Sequence, residues 1–146
     1  MAMTNNGADL DAEDKSEGVA NTTGKMHIGA VAEQTELSLR TLRHYDEVGL
    51  LRPSGRTTGG FRLYTEQDVE RLFLIRRMKP LGFTLDQMGE LLRLTESLAE
   101  SPDVESQARL EEFIVDAQAR RKKLAYTLEI ADEFIDRLQQ QHDQSR

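Results

Sequence analysis

The chain has 146 residues, enough for one domain and an extension, and contains no cysteine or tryptophan. A disulfide framework and any thiolate-based metal or oxidant sensing are therefore excluded. Its net charge of −7 seems to argue against nucleic acid, but the charge is unevenly spread. Residues 1–25 carry two lysines against five acids, residues 26–82 nine basic against seven acidic groups, and residues 83–146 eight against fourteen. Only the middle segment is positive, and counterion release depends on local phosphate contacts, not on whole-chain charge.

Residues 1–25 hold almost no large apolar side chains, so they cannot offset the entropy of ordering and are expected to form a disordered acidic tail. They also lack the basic start and apolar stretch of a signal peptide. No apolar run approaches the roughly 18 residues of a membrane span. The default expectation is a cytoplasmic protein with no membrane contact.

Residues 26–64 predict two short helices joined by a tight turn, then a glycine-tipped hairpin. Ile28, Val31 and Ala32 recur at helical spacing. Ser38 has the character of an N-cap. Leu37 and Leu42 stand at the spacing of a hydrophobic staple around it. The second helix carries Ser38, Arg40, Thr41, Arg43, His44 and Tyr45, with Leu42 and Val48 expected to face the core. Such a helix suits a major groove: arginine forks onto guanine edges or phosphates, and hydroxyls reach phosphates. Pro53 cannot donate to a strand ladder, and Gly59–Gly60 can supply positive φ at a hairpin tip. Arg56 and Arg62 flank that tip, with Phe61 and Tyr64 beside Arg62; Arg56, Arg62 and Tyr64 are expected to contact DNA. The combination is a winged helix–turn–helix.

Thr65, three residues before Asp68, marks the start of a further helix, ending near Lys79 where Pro80 and Gly82 interrupt it. Arg76, Arg77 and Lys79 form a basic cluster at its end. Thr84 with Gln87 is a capping-box pattern, opening a helix that carries Met88, Leu91 and Leu92. Ser101–Pro102–Asp103 reads as a cap, an N1 proline and a first-turn acid. Leu110, Ile114, Ala117, Arg121, Leu124, Leu128, Ala131, Ile135 and Leu138 then alternate four and three. That heptad seam predicts a coiled-coil dimerisation helix over residues 102–140, followed by a short tail over 141–146. Phe113, Ile130 and Phe134 lie off the seam and are expected to pack on a DNA-binding domain, their own or a partner's.

The order of TLRHYDEVGLL, GGFRLY and IRRMKPLGF resembles the N-terminal DNA-binding domain of the MerR (mercury-resistance regulator) family over residues 26–95. The resemblance implies a mainly α fold, a winged helix–turn–helix DNA-binding domain followed by a long helix forming an antiparallel coiled coil. It places Arg40, Arg43 and Tyr45 on the recognition helix, matches Arg62 to the family's wing arginine, and matches Lys79 to a phosphate-approaching position. Glu36 departs from the glycine usual in the turn, and His44 and Phe61 stand where tyrosine is common. A homodimer on a roughly palindromic promoter site is implied, distorting the DNA so that RNA polymerase can engage it. The rival expectations are an architectural or excisionase-like DNA-bending protein and a coiled-coil module without a DNA role. No nucleophile–base pair is apparent, and His27, His44 and His142 lack metal-ligand spacing. No enzyme activity, metal or cofactor is expected.

Overall fold

A computed structural model describes residues 24–146. The tail expected over 1–25 therefore lies outside the described residues up to position 23. The described residues divide into two compact units, 24–92 and 93–146.

In the first unit, β1 (Lys25–His27) leads directly into α1 (Ile28–Thr35) and α2 (Leu39–Glu47). β2 (Gly55–Arg56) and β3 (Arg62–Thr65) form the hairpin, and α3 (Glu66–Met78) follows. A 3-10 turn over Lys79–Leu81 then leads to α4 (Leu85–Glu100), whose later turns belong to the second unit. The sheet order is β1-β3-β2, antiparallel throughout, with Met26 opposite Tyr64 and Arg56 opposite Arg62. The strand β1 was not expected from the sequence: Lys25 was assigned to the tail, yet it pairs with Thr65. Three residues are too few for alternation to show.

The core of this unit lies between α1, α2, α3 and the hairpin. Val31, Leu42, Tyr64, Leu72 and Ile75 are fully buried there. Local chemistry sets the helix ends. The Ser38 hydroxyl accepts the Thr41 amide at 3.0 Å, as an N-cap should. Thr65 and Asp68 form a reciprocal capping box, and Thr84 and Gln87 form another. Asp68 is buried and also accepts from Ser54 at 2.6 Å and Arg71 at 3.0 Å, so it pins the loop before the hairpin to the start of α3. α3 closes through the 3-10 turn onto Gly82, at φ 82°, which relieves the strain a Cβ would meet in the left-handed region.

In the second unit, α5 (Val104–Gln144) is a single helix of 41 residues. Its cap is Asp103, whose carboxylate accepts the Ser106 amide at 2.6 Å. Ser101, expected to be the cap, instead continues the end of α4, its amide donating to Ser97 O. The helix also runs through most of the expected 141–146 tail. Phe113 is buried, with the Arg109 guanidinium 4.7 Å from its ring centroid. Leu110 and Ala117 are half-buried, whereas Arg121 and Ala131 are exposed. Ile114, Leu124, Leu128, Ile135 and Leu138 remain 48–64% exposed. Ile130 and Phe134, expected to pack on a DNA-binding domain, are not covered by their own chain.

Candidate nucleic-acid interface

The surface of α2 is built by its register. Leu42, Tyr45 and Asp46 point inward, which leaves Arg40, Arg43, His44 and Glu47 along the opposite face, where they line one shallow hollow. Arg40, Arg43 and His44 are exposed. Among the described residues, neither arginine is held by a hydrogen bond or ion pair, so both guanidiniums are available to an external partner. Glu47 was not singled out from the sequence. Its position, four residues after Arg43 and seven after Arg40, was the available signal. A carboxylate among cations can accept from a cytosine amino group.

Ser38 and Thr41 sit at the start of this face, and their hydroxyls are 2.9 Å apart, the first donating to the second. Tyr45 does not belong to the face. Its ring is buried against the core, 6.3 Å from the His44 ring, and burial pushes its phenol above the ordinary value. Val48, expected in the core, is exposed instead.

The hairpin is tied to α2 by a shared carboxylate. Asp46 Oδ2 accepts from Arg62 Nε at 2.7 Å and from Arg56 Nη2 at 2.9 Å. Burial pushes the Asp46 carboxyl up, but the hydrogen bonds and charges of Arg62 and Arg56 outweigh this and hold it below the usual carboxylate range. Arg56 Nη1 also donates to Gly60 O at 3.2 Å, bracing the tip. The tip closes through Thr57 and Phe61, with Gly60 at φ 88°. Tyr64, expected to face DNA, is fully buried on the inner side of β3. Its hydroxyl has no hydrogen-bond partner among the described residues, and burial raises its pKa to about 12. Period-two alternation puts Arg62 and Tyr64 on the same face of β3, which is the inner one: the Tyr64 ring fills the core there, and the longer Arg62 side chain extends to the buried Asp46 carboxylate.

The basic cluster at the end of α3 divides by partner. Arg76 pairs with Glu36 at 2.8 Å, and the Arg77 guanidinium lies 5.9 Å from the Phe73 ring centroid. Lys79 is exposed and has no partner among the described residues.

The family pattern described as MerR HTH family regulatory protein matches residues 26–95, and that described as MerR, DNA binding matches residues 69–130. The HTH-type transcriptional regulator CueR of Escherichia coli O6:H1 is 36% identical over 105 residues, covering 68% of this chain and 78% of that protein. The chain belongs to the MerR family. Among solved structures, MtaN, the N-terminus of the Bacillus subtilis multidrug transporter activator, is 33% identical with a TM-score of 0.50, covering 78% of this chain and 94% of its own. HiNmlR, a MerR family regulator bound to promoter DNA, has a TM-score of 0.60 at 23% identity, covering 77% and 88%, and shares the fold. Three further curated relatives are spanned by this MerR-family chain over only 52%, 26% and 34% of their lengths. No helix among the described residues is long and apolar enough to cross a membrane.

Proposed function

We propose that this MerR-family chain is a cytoplasmic, homodimeric transcriptional regulator that binds double-stranded promoter DNA and acts by distorting it. The observation that carries the reading is the face of α2: Arg40 and Arg43 exposed and uncommitted beside His44, with the Arg62 wing tethered to the same helix. The Thr41 hydroxyl, which accepts the Ser38 proton and keeps its own, and Lys79 at the end of α3 supply further phosphate donors. One such surface is weak, since the segment carrying it has a small positive balance, so two copies must act together. The exposed seam on α5 gives them the means. A two-fold protein reads an approximately palindromic site. Bending that site costs about 1–6 kcal/mol, which dimer contacts must supply. The distorted promoter would then be presented to RNA polymerase.

The relatives' names support a regulator over an architectural bending protein, and a coiled-coil module would have no use for the polar face of α2. Relatives of this kind are named as regulators. The test is genome-wide footprinting combined with binding to the chain's own promoter. A few palindromic promoter sites are expected. Broad, sequence-indifferent coverage would replace the regulator with the bending protein.

A further inference from the structure

The two wing arginines, equivalent in the sequence, are used differently by the structure. Arg56 has both terminal nitrogens engaged, Nη1 on Gly60 O and Nη2 on Asp46 Oδ2. Arg62 meets the same carboxylate through Nε alone, at 2.7 Å. Its Nη1 and Nη2 have no partner among the described residues. A guanidinium held at Nε keeps its terminal fork available, the edge that matches two oxygens of a phosphate. Asp46 itself is buried, with one oxygen serving both arginines.

We infer that Asp46 is a positioning residue for DNA binding: it orients the Arg62 fork toward a backbone phosphate while fixing Arg56 as an internal brace of the hairpin tip. The inference rests on the DNA-binding reading above and adds to it a role for a buried acid and a division of labour between two cations. Holding Arg62 in advance removes rotamer entropy that a free arginine would lose on binding. It also ties the wing to α2, so that phosphate and base contacts keep one register. The acid acts through Arg62 and touches no DNA itself.

This predicts an outcome opposite in sign to simple electrostatics. Asp46→Asn removes a negative charge from the DNA-binding unit, so charge alone would tighten binding and steepen its salt dependence. The positioning role instead predicts roughly tenfold weaker operator binding, the loss of one charge-assisted contact. The slope of log K against log salt should fall by about 0.9, one phosphate contact. In an Arg62→Ala background the Asp46→Asn change should cost nothing further, because its route to DNA is already gone. Arg56→Ala should loosen the hairpin yet leave the salt slope unchanged.

The measurement is fluorescence anisotropy of the full chain on its own promoter across salt, with circular dichroism of each variant. Equal or tighter binding by Asp46→Asn overturns the inference, as does full additivity with Arg62→Ala. If Asp46→Asn does not fold, Arg62→Lys decides. Its single nitrogen cannot both donate to Asp46 and fork onto phosphate, so roughly tenfold weaker binding is expected, and wild-type affinity overturns the inference. Wild-type protein with no preference for promoter over scrambled DNA would overturn the DNA-binding reading and this inference together.

Discussion

Arg76 Nη2 donates to Glu36 Oε1 at 2.8 Å across 40 residues of sequence, and Glu36 sits at φ 60°. The turn between α1 and α2 thus takes the left-handed conformation at a non-glycine residue. The ion pair that accompanies it joins two well-exposed side chains. An L-residue in that region is disfavoured by roughly 1–2 kcal/mol, whereas an exposed pair contributes about 0.2–1 kcal/mol. The strain is the larger effect. Glu36→Gly should therefore stabilise the domain by about 0.5–1 kcal/mol once the lost pair is subtracted. Glu36→Gln keeps the strain and loses the charge, so it should be neutral or slightly destabilising. Urea unfolding of both variants checks this. A less stable Glu36→Gly protein would mean that the pair outweighs the backbone.

Tyr64 gives a second prediction. Its hydroxyl is buried without a partner among the described residues, an arrangement that costs about 1–3 kcal/mol. Tyr64→Phe should stabilise the fold by about 1 kcal/mol and leave DNA affinity unchanged, because the ring is not at the surface. The pH dependence follows from a pKa raised to about 12. The neutral phenol is favoured in the folded state, so its contribution is complete below pH ~10, the unfolded value, and is lost as pH rises toward the folded one. Wild-type stability should fall across that alkaline window more steeply than that of Tyr64→Phe. Parallel curves for the two proteins would contradict the assignment.

These two residues also mark what the sequence could and could not reveal. Helix starts were legible because capping is local chemistry: Ser38, Thr65 and the Thr84–Gln87 pair lie within three residues of the groups they satisfy. The polar face of α2 was legible in composition but not in phase. Val48 lies six positions after Leu42, about 240° round the helix, so it could not share the buried face. Tyr45 and Asp46 take that face instead. Asp46 can be buried only because Arg56 and Arg62 neutralise it, and those partners come from 10 and 16 residues further along. The same long-range dependence hid the difference between the two wing arginines. At α5, the proline before Asp103 suggested an earlier start than the one the acid's own cap defines.

At the proposed DNA interface, Arg43→Ala should weaken operator binding by about 1–3 kcal/mol and relax discrimination against altered sites, the signature of a base-reading arginine. Lys79→Ala should weaken all sequences alike and reduce the salt slope by about 0.9. Competition between operator and scrambled DNA at several salt concentrations separates the two. An Arg43→Ala protein that retains wild-type affinity and selectivity would remove that residue from the interface. An unaltered salt slope would do the same for Lys79.

The last prediction concerns assembly through α5. Its seam alternates four and three from Leu110 to Leu138, and the apolar positions Ile114, Leu124, Leu128, Ile135 and Leu138 are left largely open by their own chain. A second copy would bury them; each is already about half covered, so each leucine or isoleucine contributes about half of the 1.5–3 kcal/mol of full burial, against an association cost of roughly 4–15 kcal/mol. Five such positions on each of two chains supply about 7–15 kcal/mol, enough to offset that cost. Arg121 at the centre of the seam disfavours shifted registers, as polar seam residues do. Replacing Leu124 and Leu128 by aspartate would place four carboxylates in the joined seam, where unpaired charge is costly. Sedimentation should show the double variant as a monomer, and that monomer should fail to protect a palindromic operator. A variant that stays dimeric would place the association surface elsewhere. A monomer binding as tightly as wild type would reject two-fold recognition, because one winged helix–turn–helix would then suffice.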